Sequence, residues 1–325
     1  MKSVYITRKL PAAAEHILRE AGCEVRVNPQ DRPLTAEELR DAAIHSDGML
    51  CLLNDKISAE LFAAAPRCRV YANYAVGHDN MDAAAASAAG VALANTPDVL
   101  SIATAEMAWA LLLAAARRIG EGERMTRAGK FHGWAPMMLL GYEVTGKSLG
   151  IIGAGRIGVA MARMARGFDM KLLYTKRSGE STQMQELGAR HVELEPLLRE
   201  SDFVSIHAPL TAQTRHMISA AQLELMKPTA ILVNTGRGPV VDEAALADAL
   251  EKKQIAGAGL DVYEREPAIE QKLLNLENVV LAPHLGSATH EARDKMAALA
   301  TSNILDHFAG RIPRTCINPE YAGQQ

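Results

Sequence analysis

Residues 149–158 read LGIIGAGRIG, a short apolar run followed by glycines at positions 153, 155 and 158. The spacing matches the pattern G-x-G-x-x-G. In that pattern Gly153 would make a tight turn, Gly155 would let the main chain approach a pyrophosphate, and Gly158 would let a helix pack closely on the strand. A helical pattern follows the glycines, and another strand-like segment comes at 171–175. In this context the stretch predicts a parallel α/β sheet that binds a dinucleotide at the start of a helix.

Short apolar segments alternate with helical patterns on both sides of this stretch. Strands are predicted at 3–7, 24–27, 48–53, 69–74, 91–94, 149–153, 171–175, 203–207, 230–234, 256–261 and 279–282. Such alternation is typical of parallel sheets covered by helices on both faces. At roughly 150 residues per domain, the 325 residues indicate two domains. The sequence therefore predicts two doubly wound α/β domains.

Two segments interrupt the alternation. Residues 101–119 form a long helical pattern, almost uncharged before Arg117, which predicts a buried helix. Residues 120–146 are predicted to be a helix followed by a long loop, of the kind that often carries function or an interface. Near the N-terminus, Thr35 followed three residues later by Glu38 predicts a capping box at the start of a helix.

Charge and composition exclude several classes of function. The chain has 35 basic and 38 acidic residues and therefore a net charge of −3. This charge lacks the excess of basic residues typical of proteins that bind nucleic acid or anionic membranes. No apolar run approaches the roughly 20 residues needed to span a bilayer, and residues 1–8 resemble a first strand more than a secretory signal. The cysteines at 23, 51, 68 and 316 lack the spacing of a zinc site, so no metal is predicted. We expect a cytoplasmic protein with no nucleic acid or membrane partner.

Charged side chains follow three successive predicted strands in the second half of the chain. Arg237 follows the first strand, Asp261 and Glu266 follow the second, and His284 follows the third. Ligands of open α/β sheets bind beyond the carboxyl ends of the strands. Taken singly, Arg237 could bind turn carbonyls, Glu266 could be a surface carboxylate, and His284 an ordinary loop histidine. Together, three complementary groups at neighbouring strand ends favour a catalytic site.

Six motifs carry a family resemblance, at 73–80, 149–158, 205–211, 234–241, 257–267 and 283–289. In these motifs the chain resembles the D-isomer-specific 2-hydroxyacid dehydrogenases, and among them most of all the glyoxylate/hydroxypyruvate reductases. The resemblance implies two Rossmann-like domains, with a cofactor domain at 100–285 inserted in a substrate domain made of 1–99 and 286–325. It also implies a homodimer that reduces a small 2-keto acid to the D-2-hydroxy acid.

The resemblance assigns roles to the residues at the strand ends. Arg237 would hold the substrate carboxylate and carbonyl oxygen, and His284 would exchange a proton with that oxygen. Glu266 would accept a hydrogen bond from the other ring nitrogen and favour the protonated ring. The implied substrate contacts are the backbone amides of Val76 and Gly77 and the side chains of Leu53 and Trp134. An equally simple reading makes Trp134 an anchor in a dimer interface.

The cofactor is predicted from the strand at 171–175. An NAD site of this type places an Asp or Glu at the end of this strand, yet Thr175, Lys176 and Arg177 stand there and no acid comes before Glu180. Cations and hydroxyls suit a 2′-phosphate, which predicts NADP(H) over NAD(H), with NAD(H) possible. Through the resemblance, further cofactor contacts are assigned to Thr104, Gly153, Gly155, Arg156, Ile157, Gly158, His207, Pro209, Thr235, Gly236, Asp261 and Gly286. A packing role explains His207 equally well.

Other functions stay open at this level. Within the family they are a 2-ketogluconate-type reductase, a phosphoglycerate dehydrogenase and a D-lactate dehydrogenase. Formate dehydrogenases carry glutamine where Glu266 stands, which argues against that activity. Some relatives are NAD(H)-sensing corepressors, but the retained arginine, glutamate and histidine favour an enzyme.

Overall fold

The computed structural model describes residues 1–324, which form two compact units. Unit 1 comprises residues 1–100 together with the chain from Ser287 onward, and unit 2 comprises Ser101–Gly286. Unit 2 is therefore an insertion in the sequence of unit 1. Each unit is built around its own parallel sheet.

Strands and helices alternate along the described residues. The strands are β1 Ser3–Ile6, β2 Glu24–Val27, β3 Gly48–Cys51, β4 Val70–Asn73, β5 Ala92–Ala94, β6 Ser148–Ile152, β7 Lys171–Thr175, β8 Arg190–His191, β9 Phe203–Ile206, β10 Ile231–Asn234, β11 Gly257–Leu260 and β12 Val279–Leu281. The α-helices are α1 Ala12–Glu20, α2 Ala36–Ile44, α3 Ala59–Ala64, α4 Ala83–Ala88, α5 Ser101–Ala116, α6 Ile119–Arg127, α7 Arg156–Ala165, α8 Thr182–Glu186, α9 Leu194–Glu200, α10 Ala220–Leu223, α11 Glu243–Glu251, α12 Gln271–Asn275 and α13 His290–Phe308. Short 3₁₀ turns occupy Arg166–Phe168, Gly238–Val240 and Pro319–Gln324.

The sheet of unit 1 has the order β2-β1-β3-β4-β5, and all its strand pairs are parallel. Its buried strands pack against helices in an apolar core that includes Met49 and Tyr71. Cys51 and Asn73 pair at the carboxyl ends of β3 and β4. The two segments that follow them carry Leu53, and Val76 with Gly77, so these three predicted substrate contacts come from neighbouring strand ends.

The sheet of unit 2 has the order β12-β11-β10-β9-β6-β7-β8, again with parallel pairs. The chain moves from β6 to β7 and β8, then returns to β9 on the other side of β6. Open α/β sheets bind ligands at such a switch point. Two apolar cores flank the sheet, one containing α5 and α7 and the other α9 and α11. The predicted class, two doubly wound α/β domains with parallel sheets, is confirmed.

Helix ends follow the local signals in one case and depart from them in another. The capping box at Thr35 is present: its hydroxyl accepts from the amide of Glu38 at 3.2 Å, and the Glu38 carboxylate accepts from the amide of Thr35 at 2.8 Å. Helix α5 ends at Ala116 rather than at 119, because Arg118 adopts the left-handed conformation with φ 53° and α6 starts after it.

Helix α5 is buried against the sheet of unit 2, as its apolar sequence predicts. Leu112 has no exposed surface, and a Cβ added to Gly259 of β11 would lie 2.8 Å from the Cβ of Leu111. In the part of the chain that the structure describes, no helix combines the length and apolar character needed to cross a bilayer.

Candidate active site

The ends of β10, β11 and β12 lie side by side in unit 2. Asn234 pairs with Leu260, and Leu260 pairs with Leu281, so the three strands finish at the same level. The segments that follow them carry Arg237, Glu266 and His284. The structure therefore brings the three predicted catalytic residues to one edge of one sheet.

His284 lies on a short loop that Asp261 holds in place. The Asp261 carboxylate accepts from the amides of Leu285 at 2.6 Å and Gly286 at 2.7 Å, and its carbonyl accepts from the amide of His284 at 2.9 Å. Asp261 is 1% exposed, and burial raises the pKa of its carboxyl while the two amides and His284 oppose that rise. His284 itself has φ 57°, an uncommon conformation for a residue with a side chain. A loop fixed by three hydrogen bonds to one residue can maintain it.

Glu266 fixes the orientation of the His284 ring. Its Oε2 lies 2.9 Å from Nδ1 of His284, and its Oε1 accepts from the amide of Tyr263 at 3.0 Å. Burial would raise the pKa of Glu266, but the hydrogen bond and charge of His284, the Tyr263 amide and the charge of Arg237 together lower it. The carboxyl is therefore ionised near pH 7. Because Nδ1 faces Glu266, Nε2 is the ring nitrogen that can serve a substrate.

A second buried carboxylate, Glu243, holds the loop that carries Glu266. Its two oxygens accept from the amides of Glu264 at 2.6 Å and Glu270 at 2.5 Å, and the residue is 8% exposed. No local pattern marks Glu243 as part of a site, because an acid in the first turn of a helix is expected for the helix alone. Only the tertiary structure shows that it reaches across to the neighbouring loop.

Arg237 lies where the main chains of two loops touch. A Cβ added to the next residue, Gly238, would lie only 1.9 Å from the carbonyl carbon and oxygen of Tyr263. The carbonyl of Arg237 accepts from Nδ2 of Asn234 at 3.0 Å. Nη1 of the Arg237 side chain donates to the carbonyl of Gly236 at 3.0 Å. The absence of a side chain at 238 thus lets the segment of Arg237 lie directly against the segment of Glu266.

The glycine loop has the shape that a dinucleotide requires. Gly153 has φ 96°, and a Cβ there would lie 2.6 Å from the amide nitrogen of Ala208 beyond β9. A Cβ at Gly158 would lie 2.3 Å from the carbonyl oxygen of Gly153. Around Gly155, by contrast, a Cβ would meet nothing within 4 Å, and no side chain caps the helix that starts at Arg156. Open space beside uncapped helix amides fits a pyrophosphate.

The end of β7 adjoins the glycine loop. The carbonyl of Thr175 accepts from the amide of Gly153 at 3.0 Å. Lys176 and Arg177 follow in a turn, and within residues 1–324 neither makes an ion pair with a carboxylate. The Glu180 carboxylate accepts from Nε2 of Gln185 at 2.7 Å, on the helix side of the turn. Two cations are thus available beside the predicted cofactor loop.

His207 lies at the switch point between β6 and β9, with both ring nitrogens near hydroxyls. Nε2 is 2.9 Å from Oγ of Ser205 and Nδ1 is 3.3 Å from Oγ1 of Thr235. Burial lowers the pKa of His207 to about 4, so the ring is neutral near pH 7. Its contacts explain His207 as a residue that joins the ends of β9 and β10; a contact with the cofactor stays a prediction.

The remaining residues predicted to contact the cofactor or the substrate are divided between unit 2 and unit 1. In unit 2, Thr104 lies beside Gly286, where an added Cβ would be 3.4 Å from its Cγ2. Also in unit 2 are Ile157 in the first turn of α7, Pro209 beyond β9, and Gly236, whose amide donates to Oδ1 of Asn234 at 3.0 Å. Trp134 lies between α6 and β6 and is 82% exposed. Leu53, Val76 and Gly77 belong to unit 1.

Comparison with known proteins identifies the family. Residues 109–286 match the model of the D-isomer specific 2-hydroxyacid dehydrogenase NAD binding domain. A glyoxylate reductase of Thermococcus kodakarensis is 50% identical over 321 residues, which cover 98% of this chain and 96% of that protein. The chain belongs to the D-isomer-specific 2-hydroxyacid dehydrogenases.

Two further members of this dehydrogenase family show how far the similarity extends. A glyoxylate reductase of Thermococcus onnurineus is 49% identical over 98% of this chain and 96% of its own. The crystal structure of an NADPH-dependent glyoxylate/hydroxypyruvate reductase from Sinorhizobium meliloti, in complex with NADP and malonate, is 32% identical, with a TM-score of 0.85 over 98% of this chain and 97% of that chain. The protein is therefore a dehydrogenase with a nicotinamide cofactor, similar to the glyoxylate reductases of the family.

The open space at Gly155 gives a test of the cofactor loop. Gly155→Val should leave the Tm within a few degrees of the wild type, because nothing in the protein is displaced, yet raise the Kd for NADPH by about 10-fold or more, because the side chain would occupy the path of the pyrophosphate. Fluorescence titration with NADPH measures this. Gly167→Val is the matched control, since Gly167 also has nothing within 4 Å but lies at the far end of α7. Equal NADPH affinities for the two variants would contradict the assignment.

Proposed function

We propose that this protein uses NADPH to reduce small 2-keto acids, glyoxylate to glycolate and hydroxypyruvate to D-glycerate. The observation that carries the proposal is the ionised Glu266 bound to Nδ1 of His284 at 2.9 Å, beside the segment of Arg237 at the same sheet edge. A general acid, the group that orients it and a cation for an anionic substrate are what carbonyl reduction of a keto acid requires. The similarity to glyoxylate reductases narrows the substrate class.

The chain's own residues supply the proton and hold the substrate. NADPH, when bound, supplies a hydride to the carbonyl carbon. Nε2 of His284 donates a proton to the carbonyl oxygen, and Glu266 stabilises the protonated ring before that transfer. Arg237 presents its planar guanidinium to the substrate carboxylate and carbonyl oxygen. In unit 1, the backbone amides of Val76 and Gly77 are the groups that we propose for contacts with a substrate carboxylate.

The preference for NADPH rests on the turn after β7. A carboxylate at this position would accept from the ribose hydroxyl of NAD and repel a 2′-phosphate. Here Lys176 and Arg177 offer two positive charges, with the hydroxyl of Thr175 beside them. Because Thr175 is hydrogen-bonded to Gly153, these groups lie next to the loop that takes the pyrophosphate. They bind the 2′-phosphate of NADPH.

The segment between α6 and β6 supports a homodimer. Its exposed apolar side chains are Phe131, Trp134, Met137, Leu140 and Tyr142, between 41% and 82% exposed. So many large apolar groups in one exposed segment mark a surface that another protein covers. The occupant we propose is a second copy of this chain. Trp134, the most exposed of the group, then either anchors that interface or limits substrate size.

The His284–Glu266 pair can be tested by the pH dependence of turnover. In Glu266→Gln a neutral amide replaces the carboxylate, so the protonated ring of His284 loses the charge that stabilises it. Because reduction needs that proton, the alkaline limb of kcat/KM for glyoxylate should move to lower pH.

Glu264→Gln is the matched control for this test. Glu264 pairs with His216 at 2.8 Å instead, so removal of its charge should leave the profile in place. A profile that is the same in Glu266→Gln as in the wild type would exclude Glu266 as the partner of the catalytic acid.

The 2′-phosphate site can be tested by charge reversal. Arg177→Asp should raise the KM for NADPH by about 10-fold or more while changing the KM for NADH little, because only NADPH carries the phosphate that the new carboxylate repels. Lys171→Asp makes the same change of charge at the opposite end of β7 and should affect neither cofactor. Wild-type kcat/KM values that are equal for NADH and NADPH would refute the preference.

The substrate class is tested with a panel of 2-keto acids and NADPH. Glyoxylate and hydroxypyruvate should be reduced faster than branched or aromatic keto acids. If Trp134 limits the site, Trp134→Ala should increase activity on the larger acids relative to glyoxylate; if it only anchors the dimer, the ratio stays constant and sedimentation shows a weaker dimer. Oxidation of NADPH by none of these acids would favour a sensing protein over a reductase.

A further inference from the structure

In the segment after β4, three consecutive carbonyl groups accept hydrogen bonds from other residues of unit 1. The carbonyl of Ala75 accepts from the amide of Thr96 at 2.8 Å, and that of Val76 accepts from Nδ2 of Asn95 at 2.7 Å. The carbonyl of Gly77 accepts from Nδ2 of Asn73 at 2.9 Å. Two of these carbonyl oxygens, which in a loop would ordinarily bind water, thus accept from side-chain amides.

These bonds determine where the neighbouring N–H groups point. In a trans peptide the carbonyl and the next N–H lie in one plane and point in opposite directions. The amides of Val76 and Gly77 therefore both point away from the segment of Asn95, and the amide of His78 points away from Asn73. Within residues 1–324, none of these three amides donates a hydrogen bond. They form a run of N–H groups of the kind that binds anions.

Asn73 also ties this loop to the loop after β3. Its Nδ2 donates to Oδ1 of Asn80 at 3.1 Å, and Nδ2 of Asn80 donates to the carbonyls of Leu52 at 3.1 Å and Asp55 at 2.9 Å. Leu53, the predicted substrate contact, lies between these two acceptors. The position of the amide run is thus fixed relative to the other substrate-contacting loop of unit 1.

The buried position of Asn73 leaves its side-chain oxygen without a hydrogen-bond donor among residues 1–324. Asn73 has no exposed surface, and in the described part of the chain its Oδ1 has no hydrogen-bond partner. A buried acceptor without a donor destabilises a fold by roughly 1–3 kcal/mol. An apolar residue would avoid that loss, so what Asn73 contributes is the pair of N–H donors that hold Gly77 and Asn80.

We propose that Asn73 and Asn95 are positioning residues for the substrate carboxylate. They occupy the carbonyls of Gly77 and Val76, and this keeps the amides of Val76, Gly77 and His78 directed at the carboxylate of a 2-keto acid. The inference rests on the proposed function, in which this loop binds the substrate. It adds the two side chains that orient the loop and a third amide, that of His78.

The test separates binding of the carboxylate from the chemical step. Asn95→Ala should raise the KM for glyoxylate, and the Kd for oxamate measured by calorimetry with NADPH present, by about 10-fold, as one lost hydrogen bond allows, with kcat changed less than about threefold. Asn73→Ala should act in the same direction. The Kd for NADPH should not change, because Asn73 and Asn95 are not among the residues assigned to the cofactor. If the buried Asn73 variant fails to fold, Asn95→Ala alone decides.

Asn318→Ala is the matched control. Asn318 is also a buried asparagine of unit 1, whose Nδ2 donates to the carbonyl of Val91 at 2.9 Å near the amino end of β5, away from the loop. It should lower the Tm without changing the KM. The inference is overturned if the asparagine variants keep the wild-type KM and oxamate affinity, or if Asn318→Ala raises both equally. A wild type that binds oxamate but reduces no keto acid would instead refute the proposed function and leave the positioning role supported.

Discussion

The parallel pairing of β10, β11 and β12 is the constraint on which the candidate site depends. Parallel strands place all their carboxyl ends at one edge of the sheet. Residues that are far apart in sequence therefore come together there through strand pairing alone. Arg237, Glu266 and His284 each follow one of these strands. The same constraint acts in unit 1, where β3 and β4 deliver Leu53 and the amide run at Val76.

Strand ends bring residues near one another, but main-chain hydrogen bonds fix their orientation. In unit 2 the buried carboxylates Asp261 and Glu243 each accept from two amides of a loop, and those loops carry His284 and Glu266. In unit 1 the side-chain amides of Asn73 and Asn95 instead donate hydrogen bonds to loop carbonyl groups. In both units, polar side chains hold loops in one conformation; Asp261, Glu243 and Asn73 are buried and Asn95 is half-buried. Such support from surrounding residues is what a preorganised site requires.

Much of the fold and of the site can be predicted from sequence, because those features are local. The glycine pattern at 153–158 and the capping box at Thr35 are local signals, and the residues after each strand can be read directly. Glu243 and Asn73 could not be identified, since their partners lie in other segments and nothing near them in sequence marks the contact. The end of α5 at Ala116 was not predicted either, because no glycine or proline at 116–118 marks the left-handed conformation of Arg118. The two-residue strand β8 is defined by its pairing with β7, which its own sequence does not show.

The proposed function requires this sheet edge to reduce 2-keto acids stereospecifically. The most direct measurement is chiral chromatography of the glycerate formed when the purified protein is incubated with hydroxypyruvate and NADPH. We expect D-glycerate, formed in amounts equal to the NADPH consumed. L-glycerate, a mixture of the two enantiomers, or no glycerate at all would contradict it.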